Sequence, residues 1–370
     1  MHLYLWQRLF AAPELGAAWS ATGGLALAIL CLATPAGMLL GRALPRPAGT
    51  LVGLVAYVWL GLAALLFFGL AAAELVRGAV WLVGAIFGLD VSPTHVARAV
   101  AVTVAGGAGL AALYGVGRAL GPVPVRRVEV ELARLPASLS GLRIVQLSDL
   151  HVGPTRGRRF VEAVVARVNA LEPDIVAITG DLVDGSVERL RPHTAPLADL
   201  RARHGVFFVT GNHEYYSGAD AWVRELERLG VRVLRNERVA IVGPDGAALD
   251  LAGVDDWSAF GPGHGRDLER ALAGRDPRRE VVLLAHQPKQ VHEAAARGVG
   301  LQLSGHTHGG QIFPWTLFVR LDQPTVAGLE RIGATQIYTS RGTGYWGPPM
   351  RVGAPPEVTL VTLRPSATRA

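Results

Sequence analysis

Five short polar motifs, each at the end of an apolar stretch, lie between residues 149 and 308: Asp149 with His151, Gly180-Asp181 with Asp184, Gly211-Asn212-His213-Glu214, the lone His286, and Gly305-His306-Thr307-His308. Together they supply enough carboxylate, amide and imidazole ligands for two metal ions. Two metals about 3.5 to 4 Å apart can clamp the attacking and leaving oxygens of an in-line displacement at phosphorus. The residue types therefore point to phosphoryl chemistry.

The elements that must carry these residues are short and apolar. Residues 142–147 (Leu-Arg-Ile-Val-Gln-Leu) read as a strand, and Asp149 and His151, two apart in chain expected to be still extended, should project to one side. The same spacing recurs in His306 and His308, after the run 299–303. Residues 174–179 form another β-branched strand, with Gly180 allowing a tight turn into Asp181. Residues 206–210 run into Gly211-Asn212-His213, and 281–285 into His286. Five strand ends converging on one edge is how an α/β sheet builds a site. Residues 158–171 and 220–229 have helical apolar spacing, so strands and helices alternate.

In this order, Asp-x-His, Gly-Asp-x-x-Asp, Gly-Asn-His-Glu, a later His and Gly-His-Thr-His resemble the calcineurin-like metallophosphoesterases. The flanking text, from Ile144-Val145-Gln146-Leu147-Ser148-Asp149 through Ser304-Gly305-His306-Thr307-His308-Gly309-Gly310-Gln311 to Pro356-Glu357, looks like the bacterial branch with an N-terminal membrane region. Some of that branch are UDP-2,3-diacylglucosamine pyrophosphohydrolases. The resemblance covers residues 125–365 and implies an α/β fold, a four-layer α/β/β/α sandwich of two mixed sheets, following transmembrane helices. It implies that Asp149, His151, Asp181 and His308 hold one divalent ion. Asp181, bridging, would hold the other with Asn212, His286 and His306. The ligand set does not choose among Mn, Fe, Zn and Mg. His213 matches a histidine that contacts the substrate phosphate and can protonate the leaving oxygen. Glu214 departs from the Asp of many relatives and is not expected to touch metal; Asp184 should fix the loop or orient a ligand.

The other histidines, His2, His95, His193, His204, His264 and His292, lack such context and read as surface or structural. Asp255 and Asp256, after the apolar stretch 248–254, either support the site from outside or cap a strand end.

The first third of the chain has a different character. Half of the 370 residues are hydrophobic and mean hydropathy is +0.30, high for one soluble domain. Residues 15–41, 47–73 and 99–117 carry no charge, and each is about 20 residues or longer, enough to cross a hydrocarbon core. These are expected transmembrane helices of a membrane region, residues 1–121, joined near Gly121-Pro122 to the phosphoesterase domain, residues 125–365. Residues 78–89 are apolar but short, which suits an interfacial or re-entrant segment. The aromatic start, residues 1–10, reads as interfacial, with a fourth span as the alternative. No cleavable signal peptide is expected, because no basic leader and small-residue cleavage site frame the first apolar run. With the N-terminus outside, Arg42, Arg46, Arg118, Arg126 and Arg127 are cytoplasmic against Arg8, Arg77 and Arg98 outside, which favours a cytoplasmic catalytic domain at the plasma (inner) membrane. Cys31, the single cysteine, excludes an intramolecular disulfide.

The net charge of +6 comes almost wholly from arginine, Lys289 being the only lysine. No basic-aromatic patch accompanies it, so anionic lipid headgroups and phosphate substrates are simpler partners than nucleic acid. An Ala/Arg/Pro tail after Leu363 is expected to fray. Residues 312–349 carry Phe313, Trp315, Leu317, Phe318, Tyr345 and Trp346 among glycines and prolines. They should form long loops, either packing closing strands such as 336–339 or giving an apolar lip for acyl chains. Two classes of function remain: an active phosphoesterase held near an amphiphilic substrate, or acting on soluble or cyclic nucleotides; and a membrane sensor with an inactive domain. The intact ligand set argues against the second. Oligomeric state is not legible.

Overall fold

The computed structural model describes residues 1–45 and 47–366. Arg46, counted above for orientation, and the last four residues of the tail lie outside the described residues, as does the side chain of Arg42. The chain folds as two compact units.

The first comprises Met1–Gly121 with Ile312–Pro314 and Gly347–Gly353. It contains α1 (His2–Trp6), α2 (Ala17–Ala43), α3 (Ala48–Phe87) and α4 (Pro93–Leu120). Three of them, Ala17–Gly41 within α2, Ala48–Phe87 and Pro93–Leu120, are long and apolar enough to cross a membrane. Their buried positions are mostly Gly and Ala, such as Gly53, Ala56, Gly61 and Ala63 of α3, while Leu32, Leu39, Leu75 and Leu113 are exposed. Small residues inside and leucines outside are what helices packed in hydrocarbon require.

α3 has 40 residues, about 60 Å at the helical rise, and runs through residue 87. The separate interfacial segment expected at 78–89 therefore does not form, because no proline breaks the helix before Gly88 caps it in the left-handed conformation (φ 64°). Glu74, within α3, is neutralised by Arg8 Nε at 3.0 Å and Arg77 Nη1 at 3.4 Å. Leu5 is fully buried with Leu27, Leu66 and Ala108. The aromatic start is thus packed into the helices. Met350, also fully buried, packs over Gly61 and Gly115, and Arg351 N donates to Gly115 O at 2.9 Å.

The second unit comprises Pro122–Gln311, Trp315–Trp346 and the chain from Ala354. Its strands are β1 (Val125–Leu132), β2 (Arg143–Leu147), β3 (Ile175–Thr179), β4 (Val206–Val209), β5 (Arg232–Val233), β6 (Glu237–Val242), β7 (Ala248–Gly253), β8 (Val281–Leu284), β9 (Leu301–Ser304), β10 (Gly328–Ile332), β11 (Thr335–Thr339) and β12 (Val358–Pro365). Its helices are α5 (Arg158–Asn169), α6 (Val187–Thr194), α7 (Asn212–Ser217), α8 (Ala219–Arg228), α9 (Leu268–Leu272), α10 (Val291–Ala296) and α11 (Trp315–Val319). β12 continues to Pro365, past the Leu363 after which fraying is expected, and Ser366 N donates to Leu132 O at 3.1 Å.

Two six-stranded sheets form, in the orders β1-β12-β2-β3-β4-β5 and β10-β11-β9-β8-β7-β6. β2 to β5 run parallel, as do β7, β8, β9 and β11. β12, β6 and β10 supply antiparallel contacts. Alternation along the strands explains the stacking. Ile144, Ile175 and Phe207 of one sheet meet Leu251, Leu284 and Leu303 of the other in a central core. Val145, Leu147, Val176 and Phe208 face outward to Val161, Val165, Trp222 and Leu226 of α5 and α8. Ala252, Val281 and Leu283 face Leu268, Ala271 and Ala294 of α9 and α10. The result is the four-layer α/β/β/α sandwich.

Trp222 joins one outer layer to the loop after β3: it is fully buried and its Nε1 donates to Gly185 O at 2.9 Å. We predict that Trp222→Ala costs about 3 to 5 kcal/mol through the cavity it leaves. Trp222→Phe should cost only about 1 to 3 kcal/mol, chiefly for the stranded carbonyl. Thermal unfolding of the detergent-solubilised chain, followed by circular dichroism, checks the order; equal losses would deny the hydrogen bond its share.

Candidate metal centre

The five motifs follow β2, β3 and β4 of one sheet and β8 and β9 of the other. The cluster therefore forms where the carboxyl ends of two sheets meet, and not along one sheet's edge as the strand pattern suggested. Nor is the chain at Asp149 and His151 extended. Asp149 (φ 54°), His151 (48°), Asp181 (51°), His306 (69°) and His308 (51°) all take left-handed backbone. Each such residue costs on the order of 1 to 3 kcal/mol, which the surroundings must supply. They do so by pairing the loops: Asp149 N donates to Gly180 O at 3.0 Å, His151 N to Asp181 O at 3.1 Å and Val152 N to Leu182 O at 2.8 Å. Two glycines permit the approach. A Cβ on Gly211 would fall on Asp181 Oδ1, and one on Gly305 on Asp149 Oδ2.

Three groups of potential ligands result, each with its ligand atoms within 4.8 Å of one another: Asp149, His151 and His308; Asp181, His286 and His306; and His151, Asp184 and His213. His151 Nε2 faces His308 Nε2 at 3.1 Å, and His308 Nε2 lies 3.4 Å from Asp149 Oδ1. His286 Nε2 lies 3.2 Å from both Asp181 Oδ2 and His306 Nδ1. His151 Nε2 is 3.8 Å from Asp181 Oδ2.

Hydrogen bonds on the far side of the rings fix their tautomers. His286 Nδ1 lies 2.7 Å from Thr179 O, a pure acceptor, so Nδ1 carries the proton and Nε2 faces the cluster. Asp184 Oδ1 accepts from His151 Nδ1 at 3.0 Å and His213 Nδ1 at 2.6 Å, which likewise turns both Nε2 atoms inward. This is the orienting task expected of Asp184. Asn212 Oδ1 is buried and has no hydrogen-bond partner among the described residues.

A donor set of inward-facing lone pairs, buried carboxylates and an orphaned amide oxygen fits divalent cations.

The protein alone distributes protons unevenly across the cluster. Burial raises the Asp149 carboxyl, and Asp181 adds to it. Burial acts likewise on Asp181, but His286, His213 and His151 overcome it and hold that carboxyl well below the usual range. Against burial, Asp181 lifts His286 well above the ordinary imidazole. Burial and the charge of His286 push His306 down to about 3. For His213, burial is outweighed by the bond to Asp184 and the charge of Asp181, which raise it to about 9.

Glu214 makes no ligand group and has a different role. Its buried carboxylate accepts from Gly211 N at 2.7 Å, Leu182 N at 2.9 Å, Asp181 N at 3.0 Å and Val183 N at 3.4 Å. It ties the loop of Asp181 to the loop of Asn212, which nothing in its local sequence announces. Asp256 supports the site from behind, accepting from Gln287 Nε2 at 3.0 Å beside His286. Asp255 pairs with Arg235 Nη2 at 2.8 Å. Among the described residues, no candidate metal group includes the six histidines set aside in the sequence.

Aromatic rings surround His213. Tyr216 lies at a centroid distance of 5.4 Å and Trp346 at 6.2 Å, with Phe260 6.3 Å beyond Tyr216. All three are exposed. Tyr216 and Phe260 escaped the sequence reading because single aromatics in separate loops carry no spacing signal. The segment expected as long loops is partly ordered into α11, β10 and β11; Tyr345 is buried under Arg156, but Trp315, Leu317, Phe318 and Leu321 are exposed.

Sequence comparison finds the profile described as Calcineurin-like phosphoesterase over residues 142–310. A Danio rerio "Transmembrane protein with metallophosphoesterase domain" is 42% identical over 262 residues, which cover 68% of this chain and 60% of that protein. An "Uncharacterized metallophosphoesterase" of Helicobacter pylori strain J99 is 43% identical over 231 residues, 60% of each chain. Another of that description, from Aquifex aeolicus, is 37% identical over 245 residues, 65% of this chain and 91% of that one. The matched region is thus about 60% of the length of the first two.

If Glu214 holds the two loops together, Glu214→Gln should place an amide NH2 against backbone donors. We predict a stability loss of about 1 to 3 kcal/mol. Unchanged thermal unfolding would mean that the carboxylate is not the tie.

Proposed function

This chain belongs to the calcineurin-like phosphoesterase family, and from that premise we propose that it is a membrane-anchored hydrolase of phosphodiester or pyrophosphate bonds that works with two divalent ions. The observation that carries the reading is the pair of facing ring-nitrogen contacts, 3.1 Å at His151 and His308 and 3.2 Å at His286 and His306, around the carboxylates of Asp149 and Asp181.

In this reading Asp149, His151, Asp181 and His308 hold one ion, and Asp181, Asn212, His286 and His306 the other. Bound there, divalent ions supply positive charge to phosphoryl oxygens and acidify the attacking water. The Nδ1 of His213 is committed to Asp184, so Nε2 is the atom that meets the phosphate and protonates the departing oxygen. Asp184 positions two rings at once. Glu214 holds Asp181 and Asn212 in register with each other.

The substrate we assign is amphiphilic or lipid-linked. Support comes from the exposed side chains of Trp315, Leu317 and Phe318 directly after the Gly-His-Thr-His motif, from Trp346 beside His213, and from helices of membrane-spanning length in the same chain. The arginine bias supports a catalytic unit on the cytoplasmic face of the plasma membrane.

We predict that Asp181→Ala abolishes activity and lowers bound metal to at most one ion. His213→Ala should keep both ions while losing about 10² to 10⁴ in rate, less for good leaving groups than for poor ones. Elemental analysis beside turnover of aryl phosphodiesters checks both; two ions and near-normal turnover in Asp181→Ala would overturn the assignment.

The lipid assignment predicts that the full chain in detergent has higher kcat/KM for an acylated substrate than for the same headgroup without chains. Trp346→Ala should raise KM for the acylated one alone. Equal kcat/KM values would favour a soluble phosphodiester.

A further inference from the structure

A cavity of about 570 Å³ is lined in part by Trp257, Arg266, Lys289, Arg320 and Asp322. Two of its walls adjoin the loop of His286 and lie near His306. Lys289 follows His286 by three residues, and Asp322 is near enough to His306 for its charge to act there. Gln323 locks the two walls together: its Oε1 accepts from Lys289 N at 3.3 Å, and its Nε2 donates to Gln287 Oε1 at 3.4 Å. Gln287 is in turn held by Asp256.

The charges of this cavity do not cancel. Arg266, Lys289 and Arg320 face Glu293 and Asp322. Glu293 is engaged elsewhere, by Gln290 Nε2 at 2.8 Å and Arg297 Nε at 3.4 Å, and Arg266 Nε reaches it only at 4.0 Å. The Arg266 guanidinium instead lies over the Trp257 ring at 3.6 Å, a stacked pose that leaves its in-plane N–H donors pointing sideways. Arg320 is exposed and makes no hydrogen bond or ion pair among the described residues. Lys289 Nζ pairs with Asp322 Oδ1 at 2.6 Å, but that carboxylate is exposed, and exposed pairs contribute little. An incoming anion can therefore take Lys289 from it.

Planar guanidinium donors, an ammonium and a solvent-open cavity match the oxygens of a phosphate group. We propose that this cavity is a second, non-catalytic anion site, which takes a phosphate group whether it is carried by the substrate, by a lipid headgroup or by a free ion. Only the first of those sources rests on the phosphoesterase reading. A substrate with its scissile phosphate at the histidine cluster would place a second phosphate here, and the enzyme would prefer such doubly anionic molecules.

The test uses the full chain in detergent. In protein stripped of metal by a chelator, inorganic phosphate should give a saturable tryptophan fluorescence change, absent from Trp257→Phe and lost in Arg320→Ala. No saturable change, or one that Arg320→Ala retains, overturns the site. With metal restored, two aryl phosphodiesters are compared, one with a methyl arm and one with a 2-phosphoethyl arm. Arg320→Ala should raise KM about tenfold or more for the second while leaving kcat and the methyl substrate unchanged, the loss of one charge-assisted contact. Phosphate binding without that KM split upholds the site and assigns it to free phosphate or a headgroup. Phosphate binding in a protein that turns over neither ester refutes the phosphoesterase reading and leaves the anion site standing.

Discussion

Asp149 and Asp181 are carboxylates buried where two sheets meet, and the surrounding structure is arranged to keep them there. Each accepts a backbone N–H from the motif opposite, Asp149 from His306 at 3.0 Å and Asp181 from His213 at 2.9 Å. Buried anions are costly unless hydrogen-bonded and matched by positive charge. Here imidazoles carry part of that charge, and the strained turns fix the rest of the geometry. The strain and the inward-facing ring nitrogens belong to one arrangement, carried by the three-core sandwich beneath it.

That dependence explains the polar residues behind the site. Gln146 is fully buried in β2, and its Nε2 donates to Thr179 Oγ1 and Ser304 O, each at 2.9 Å. One side chain thus joins β2, β3 and β9, across the two sheets. Ser304 Oγ extends the bridge to Ala285 O at 2.6 Å, next to His286. The positions of the candidate ligands are set by cross-sheet hydrogen bonds as much as by the strands that precede them.

What the sequence made legible follows from the range of each interaction. The strands before the motifs and the helices α5 and α8 were readable because apolar periodicity is local; their observed limits differ from the expected ones by a residue or two. The motif residues were readable because their order is unusual. The left-handed turns were not, since Asp and His can take that backbone only where neighbours impose it. Glu214 joined to four backbone donors, and Tyr216 and Phe260 beside His213, arise from contacts between distant segments and leave no spacing to detect. The continuous α3 was misread at residues 78–89 because charges at Glu74 and Arg77 look like a boundary until Arg8 is seen to neutralise one of them.

Chain connectivity constrains how the catalytic unit can be studied and how it works. Residues 315–346, which hold α11, β10, β11 and the exposed aromatic strip, belong to the second unit but are bracketed in sequence by Ile312–Pro314 and Gly347–Gly353 of the first. Only a few residues separate His308 from the first of those segments. A truncation that removes Met1–Gly121 would strip the partners of Met350 and of Arg351 N, which pack on Gly61 and Gly115. It would thereby remove the packing of the segment that closes the strip at residues 347–353. Loss of stability in such a fragment would therefore report the loss of that packing.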